Sequence, residues 1–180
     1  MKNKKSIIEG LNTFISGDML EGENAYLCEK CDKKVDTLKR TCIKKLPRYL
    51  IIALKRFEFD FDRMVRVKVN DYCEFPMDLD MSDFTQEGLR RKEREKAFKE
   101  EKGEDAIFSE PLKYPKEYYE YKLSGVVVHT GTADSGHYYS FISDREHPES
   151  NKWYEFNDHI VRDFDPAEIP SECFGGEDTF

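Results

Sequence analysis

The sequence predicts an α+β chain in which antiparallel β-structure predominates. Three observations carry this. Two aromatic-rich segments, Asp134 to Ser140 and Trp153 to Asp158, flank a polar stretch from Ser143 to Lys152 that contains Pro148, the pattern of an antiparallel hairpin. Between Met64 and Val69 the residues Val65, Val67 and Val69 alternate with Arg66 and Lys68, which suits a half-exposed strand. From Tyr49 to Phe57 the run of Leu, Ile, Ile, Ala and Leu suits a strand buried on both faces.

In chain order, Ile7 to Phe14 is a short helix and Gly22-Glu23-Asn24 marks a turn. Tyr26 to Cys28 is a short strand leading into the knuckle Cys28-Glu29-Lys30-Cys31, and a basic extended stretch follows from Val35 to Lys45. The turn between the two strands of the middle region is placed at Phe59-Asp60-Phe61-Asp62. Arg90 to Asp105 is dominated by Lys, Arg and Glu, with no helical stripe beyond Leu89, Ala97 and Phe98; a solvated helix or disordered insertion is expected there. Strand character resumes from Tyr118 to His129, and the small-residue loop Gly131 to Gly136 lies directly before His137.

The chain has 180 residues, about one domain, and 38% are hydrophobic. A net charge of −8 argues against a general nucleic-acid binder. No apolar run reaches the length of a membrane span, and Met1 to Lys5 is followed by only two apolar residues, which does not make a secretory signal. Five cysteines, an odd number with two in one Cys-x-x-Cys pair, suggest a reducing compartment rather than a disulfide scaffold.

The predicted hairpin brings chemistry together. The midpoint of positions 137 and 157 is 147, inside the predicted loop, so His137 and Asn157 are expected to face each other. A histidine with an amide partner is the base-and-orienter half of a cysteine or serine nucleophile system. His137 would take the thiol proton, Asn157 would fix its tautomer, and Asp158 would assist from one residue on. Asn-Asp is also a common turn dipeptide. Cys28 and Cys31 look like half of a tetrahedral zinc site, which needs two further ligands. Cys42, Cys73 and Cys173 lack the glycine-rich turn or helix start that lowers a thiol pKa, and Cys42 is expected in a strand.

These segments also carry a resemblance. Ser135-Gly136-His137-Tyr138-Tyr139-Ser140 and Trp153-Tyr154-Glu155-Phe156-Asn157-Asp158 together resemble the His box of the ubiquitin-specific proteases. Leu46 to Phe57 resembles that family's "LPxxLxxxLKRF" strand, and Asn70-Asp71-Tyr72-Cys73-Glu74-Phe75-Pro76 its "NDxxEFP" segment. The resemblance implies the C-terminal portion of a papain-like cysteine-protease fold of the thumb–palm–fingers type. Residues 26–57 would be fingers and central strands, 90–117 a charged insertion, and 118–165 the palm with the His box. It implies a thiol-dependent deubiquitinase with His137, Asn157 and Asp158 catalytic, and with Gly136 and Tyr138 against the ubiquitin tail. A structural zinc ion would be held by Cys28, Cys31 and an upstream Cys pair, with no cofactor for catalysis. Ubiquitin and ubiquitinated proteins would be the partners, with no nucleic acid or membrane, and the location would be cytoplasmic, with the nucleus as a further location. The family's nucleophile box, "GNTCYxNS", and its final "NAYMLxY" strand after Phe174-Gly175-Gly176-Glu177 are not found, so the chain alone is expected to be inactive. The alternative is a non-catalytic ubiquitin-binding module or pseudoenzyme.

Overall fold

A computed structural model describes residues 4–176; Glu177, and the first three residues of the Met1–Lys5 stretch, lie outside the described residues. The elements run α1 (Ile7–Ser16), β1 (Asp18–Leu20), β2 (Tyr26–Cys28), β3 (Lys33–Val35), β4 (Thr37–Lys39), β5 (Phe57–Asp60), β6 (Val65–Lys68), β7 (Asp78–Asp80), α2 (Gln86–Lys102), β8 (Glu120–Lys122), β9 (Gly125–Gly131), β10 (Gly136–Ser143), β11 (Trp153–Asn157), β12 (Ile160–Phe164) and α3 (Ile169–Cys173). This is an α+β chain whose sheets are small and antiparallel. None of its described helices is long and apolar enough to cross a membrane. The chain divides into two compact units.

One unit takes Ile8–Leu50 and Asp78–Tyr121. Its core is Ile15, Leu46, Met81, Phe84, Leu89 and Tyr119. Strands β1 and β4 pair with each other, and β2 and β3 form a hairpin around the Cys28–Cys31 turn. The charged stretch is ordered as α2, and its few apolar residues explain how. Thr85 caps the helix by accepting from the Gly88 N–H (3.0 Å), while Leu89 drops into the core. Glu87 accepts from the hydroxyl of buried Tyr119 (2.7 Å), and burial with that bond pushes the phenol pKa up to about 12. Arg94 makes a two-pronged bond to Glu110, and Phe98 packs on Phe108. Cys42 sits in irregular chain packed against this core, not in a strand as expected; the next residue makes only an isolated bridge, Ile43 to Thr85.

The other unit takes Ile51–Met77 and the chain from Lys122 on, with the N-terminal stretch to Ile7. Its centre is a four-stranded antiparallel sheet in the order β12-β11-β10-β9. The inner face carries Val126 and Val128 of β9, Tyr139 and Phe141 of β10 and Trp153 of β11, which share one side because side chains alternate along a strand. Phe164 stacks on Phe141 at 3.9 Å, and Ile169 of α3 and Phe174 close the core. Arg56 ties the periphery together. Its guanidinium donates to the carbonyls of Val69 (3.1 Å), Asp71 (2.7 Å) and Phe174 (3.2 Å).

Three further sequence expectations need correction. The run from Tyr49 to Phe57 is not a doubly buried strand: residues 51–56 are in no strand and Ile51 is 89% exposed. An apolar run specifies a covered strand only where sheet neighbours cover it, and among the described residues none pairs with 51–55. The turn of the β5–β6 hairpin lies at 61–64, two residues later than expected, because the Asp60 carboxylate accepts from the Asp62 and Arg63 N–H groups (3.0 Å each) and turns the chain after it. The third concerns hairpin register: Ser140 pairs with Phe156, so the β10–β11 hairpin is centred on 148 rather than 147.

Candidate active site

The register correction moves His137 and Asn157 from directly opposed to diagonal positions, and they remain on one face because the offset is two residues. The β10–β11 ladder stops at Ser140–Phe156, whereas β10 stays paired with β9 down to Gly136–Gly131. His137 is therefore carried by β9 and β10, and Asn157 by the end of β11. Across the gap His137 Nε2 lies 2.7 Å from Asn157 Oδ1. A carbonyl oxygen only accepts, so Nε2 carries the hydrogen, and the neutral ring keeps a lone pair on Nδ1. The imidazole is half-buried.

Asp158 is the first residue of the two-residue turn between β11 and β12, with φ +52°. Its carboxylate is 3.9 Å from Nε2, beyond hydrogen-bond length. The sequence reasoning missed Glu155. It lies two residues before Asn157, hence on the same face of β11, and its Oε1 accepts from the Asn157 Nδ2–H at 3.3 Å. The period of two was the signal that could have found it.

The loop before His137 is built for close approach. Gly131 has φ +97°, and Thr132 closes the turn by donating its N–H to the Ser135 carbonyl at 2.8 Å. A Cβ on Gly136 would strike the Thr130 carbonyl and the His129 imidazole, so only glycine fits there. His129 packs edge-on to Phe57 (5.0 Å) and against Tyr138 (4.6 Å). Burial, then the charge of Lys68, lowers its pKa, so this ring is held neutral. Lys68 donates to the carbonyls of His129 (2.8 Å) and Gly131 (3.2 Å), fixing the end of β9. Phe57, Phe59, Arg66, His129, Asp134 and Tyr138 line an open cleft of about 610 Å³ under this loop. Tyr138 points outward, 59% exposed.

The remaining predicted residues fall in the other unit. Cys28 ends β2 and Cys31 follows in the turn, where its N–H donates to the Cys28 carbonyl at 3.1 Å. Backbone N–H groups of Cys31 and Lys30, then the Cys31 thiol, lower the Cys28 pKa. The pair suits a soft divalent cation, but it supplies two donors of four, and no cluster of three His, Cys, Asp or Glu exists among the described residues. Cys173 is the opposite case: burial, aided by Glu172, pushes its thiol up to about 12, so it stays protonated at neutral pH.

The chain as a whole has relatives of known family. Residues 9–173 match the family Ubiquitin carboxyl-terminal hydrolase. Human ubiquitin carboxyl-terminal hydrolase 34 is 49% identical over 97% of the chain, human ubiquitin carboxyl-terminal hydrolase 9Y is 43% identical over 98%, and the Drosophila melanogaster probable ubiquitin carboxyl-terminal hydrolase FAF is 43% identical over 98%. The chain spans only 5–7% of the length of these relatives. Among solved structures, the SAGA Ubp8/Sgf11/Sus1/Sgf73 DUB module bound to ubiquitin aldehyde matches with a TM-score of 0.66 at 28% identity, covering 94% of this chain and 32% of that one. A second structure of that module, bound to monoubiquitin, matches with a TM-score of 0.68 at 28% identity, covering 94% and 31%.

Proposed function

Because the chain belongs to the ubiquitin carboxyl-terminal hydrolase family, we propose that it carries the base half of a papain-like cysteine-protease site that hydrolyses the isopeptide bond after the last glycine of ubiquitin. The observation behind this is the 2.7 Å bond from His137 Nε2 to Asn157, which commits Nδ1 to accepting a proton. In this reading Nδ1 takes the proton of a cysteine thiol, and the thiolate attacks the glycine carbonyl. The imidazolium, steadied by Asn157 and the Asp158 charge, returns the proton to the leaving amine. The same nitrogen then draws a proton from water as it attacks the thioester.

The nucleophile in this reading belongs to a "GNTCYxNS"-like segment of the parent protein. The raised pKa of Cys173 makes that thiol a poor nucleophile. The cleft beside Tyr138 receives the ubiquitin tail, where two terminal glycines allow the backbone to pass close to Gly136. Residues 26–57 serve as fingers and central strands, 90–117 as a charged insertion and 118–165 as the palm of a thumb–palm–fingers domain. Cys28 and Cys31 hold a structural zinc ion together with an upstream Cys pair.

The test is a fluorogenic ubiquitin substrate, turned over by the parent protein and by this chain alone. Turnover is expected from the parent, lost in His137→Ala, and none from the chain alone. Turnover by the chain alone that Cys42→Ala or Cys73→Ala abolishes would place the nucleophile here and overturn the reading. A parent that binds ubiquitin without turnover would be a binding module instead.

A further inference from the structure

We propose that Glu155 is a positioning residue that selects the flip of the Asn157 amide, and through it the tautomer of His137. An asparagine, unlike an aspartate, presents two different ends. With Oδ1 toward His137, Nε2 is the donor and Nδ1 is free to act as a base. With Nδ2 toward His137, Nε2 must accept, the ring hydrogen moves to Nδ1, and the ring faces outward with a donor. Something must choose between these two states.

Glu155 makes that choice. Its carboxylate only accepts, and it takes the Asn157 Nδ2–H at 3.3 Å while Oδ1 meets Nε2 at 2.7 Å. In the opposite flip Oδ1 would face the carboxylate, acceptor against acceptor. The chain Glu155–Asn157–His137 therefore has one hydrogen-bonding direction. The location of Glu155 is itself informative. It stands directly opposite Phe141 on the core side of the sheet, two residues from Trp153, and those two side chains are 2% and 3% exposed. A half-buried carboxylate in such surroundings carries a desolvation cost that its bond to the amide offsets. Arg162 is its neighbour across β12 and adds a positive charge on that side.

The consequence for turnover rests on the reading of His137 as base; the tautomer itself does not. Imidazole ¹⁵N shifts distinguish the two ring tautomers, and they are measured on this chain at about pH 8.5, above the ordinary imidazole pKa of about 6.5. Wild type is expected to show His137 as Nε2–H, and E155Q, whose amide can turn either its oxygen or its nitrogen to Asn157, weakens that preference. E155L removes the preference, so a comparable fraction of Nδ1–H appears. E155K donates to Oδ1 instead and inverts the ratio by tenfold or more. In an N157D background E155K is expected to leave the ring as Nε2–H, since a carboxylate has no wrong end. In the parent enzyme kcat/KM falls about twofold for E155L and at least tenfold for E155K. An unchanged tautomer in both E155L and E155K overturns the proposal, whatever the activity. An inverted tautomer with unchanged turnover supports Glu155 as selector and removes His137 from the chemistry.

Discussion

Replacing Arg56 by methionine removes three hydrogen bonds from one charged donor while keeping most of the side-chain stem. Two of those bonds, to Val69 at 3.1 Å and Phe174 at 3.2 Å, are partly buried, and the third, to Asp71 at 2.7 Å, is exposed. A bond from a charged group contributes about 1.5–3 kcal/mol when well buried. Taking the low end for the partly buried pair and a few tenths for the exposed one gives a loss of about 3 kcal/mol. Lysine has a single ammonium that cannot span the fork, so Arg56→Lys is expected to recover about 1 kcal/mol of that. At roughly 2–4 °C per kcal/mol for a chain of this size, Arg56→Met lowers the melting temperature by about 6–12 °C. The assay is built in. The single tryptophan, Trp153, is buried in the core of the same unit, so its fluorescence follows unfolding in urea. Arg56→Met within about 0.5 kcal/mol of wild type would refute the clamp. So would Arg56→Lys matching wild type, because the fork geometry would then not matter.

Three further outcomes are expected. Gly136→Ala drives a methyl group into the Thr130 carbonyl and the His129 ring, so it costs about 2 kcal/mol or more and displaces His137, read as a lowered urea midpoint with altered His129 and His137 ring signals. Folding keeps Cys173 protonated up to about 12, whereas an unfolded thiol ionises near 8.5; the unfolded chain thus loses its proton first, and stability falls as pH rises between those values. Urea midpoints at pH 8 and 10 should show that slope in wild type and a shallower one in Cys173→Ala, and equal slopes would contradict it. Metal analysis of the gently purified parent should find one zinc ion per chain, lost in Cys28→Ser and Cys31→Ser, with weak binding by this chain alone because two thiolates leave half the shell to water. A zinc-free parent would end that proposal.

What could be read from the sequence followed the range of the interactions involved. Alternation along Val65–Lys68 and the aromatic runs at 137–141 and 153–156 located strands, since the period of two is a local property. Hairpin arithmetic brought His137 to Asn157 but missed the register by two, because the loop length fixes the centre and Pro148 to Ser150 form a turn of 3₁₀ helix that the sequence did not announce. The error was harmless to the pairing because an even slip preserves the face. The Tyr49–Phe57 run was misjudged for the reverse reason: its apolar character is local, but burial depends on what lies alongside. Glu155 went unnoticed because a lone acidic residue in an aromatic strand reads as its solvent side. Only the register shows it opposite Phe141, on the inner face. The order of α2 was equally hidden. Its anchors, Thr85, Glu87 with Tyr119, and Arg94 with Glu110, lie up to 32 residues apart in the chain.

The early end of the β10–β11 ladder has a mechanical consequence. Parting His137 from Asn157 breaks one side-chain bond and no backbone rung, since the last rung is at Ser140–Phe156. Separation along the line from imidazole to amide is therefore opposed by no rung of that ladder, while Phe141 and Trp153 are held in the core a few residues away. Robustness and alignment are thus separate properties of the same sheet. A substitution near the strand tips can leave the melting curve untouched and still misaim the ring, so screens that rank variants by heat tolerance are blind to the quantity that matters at this site.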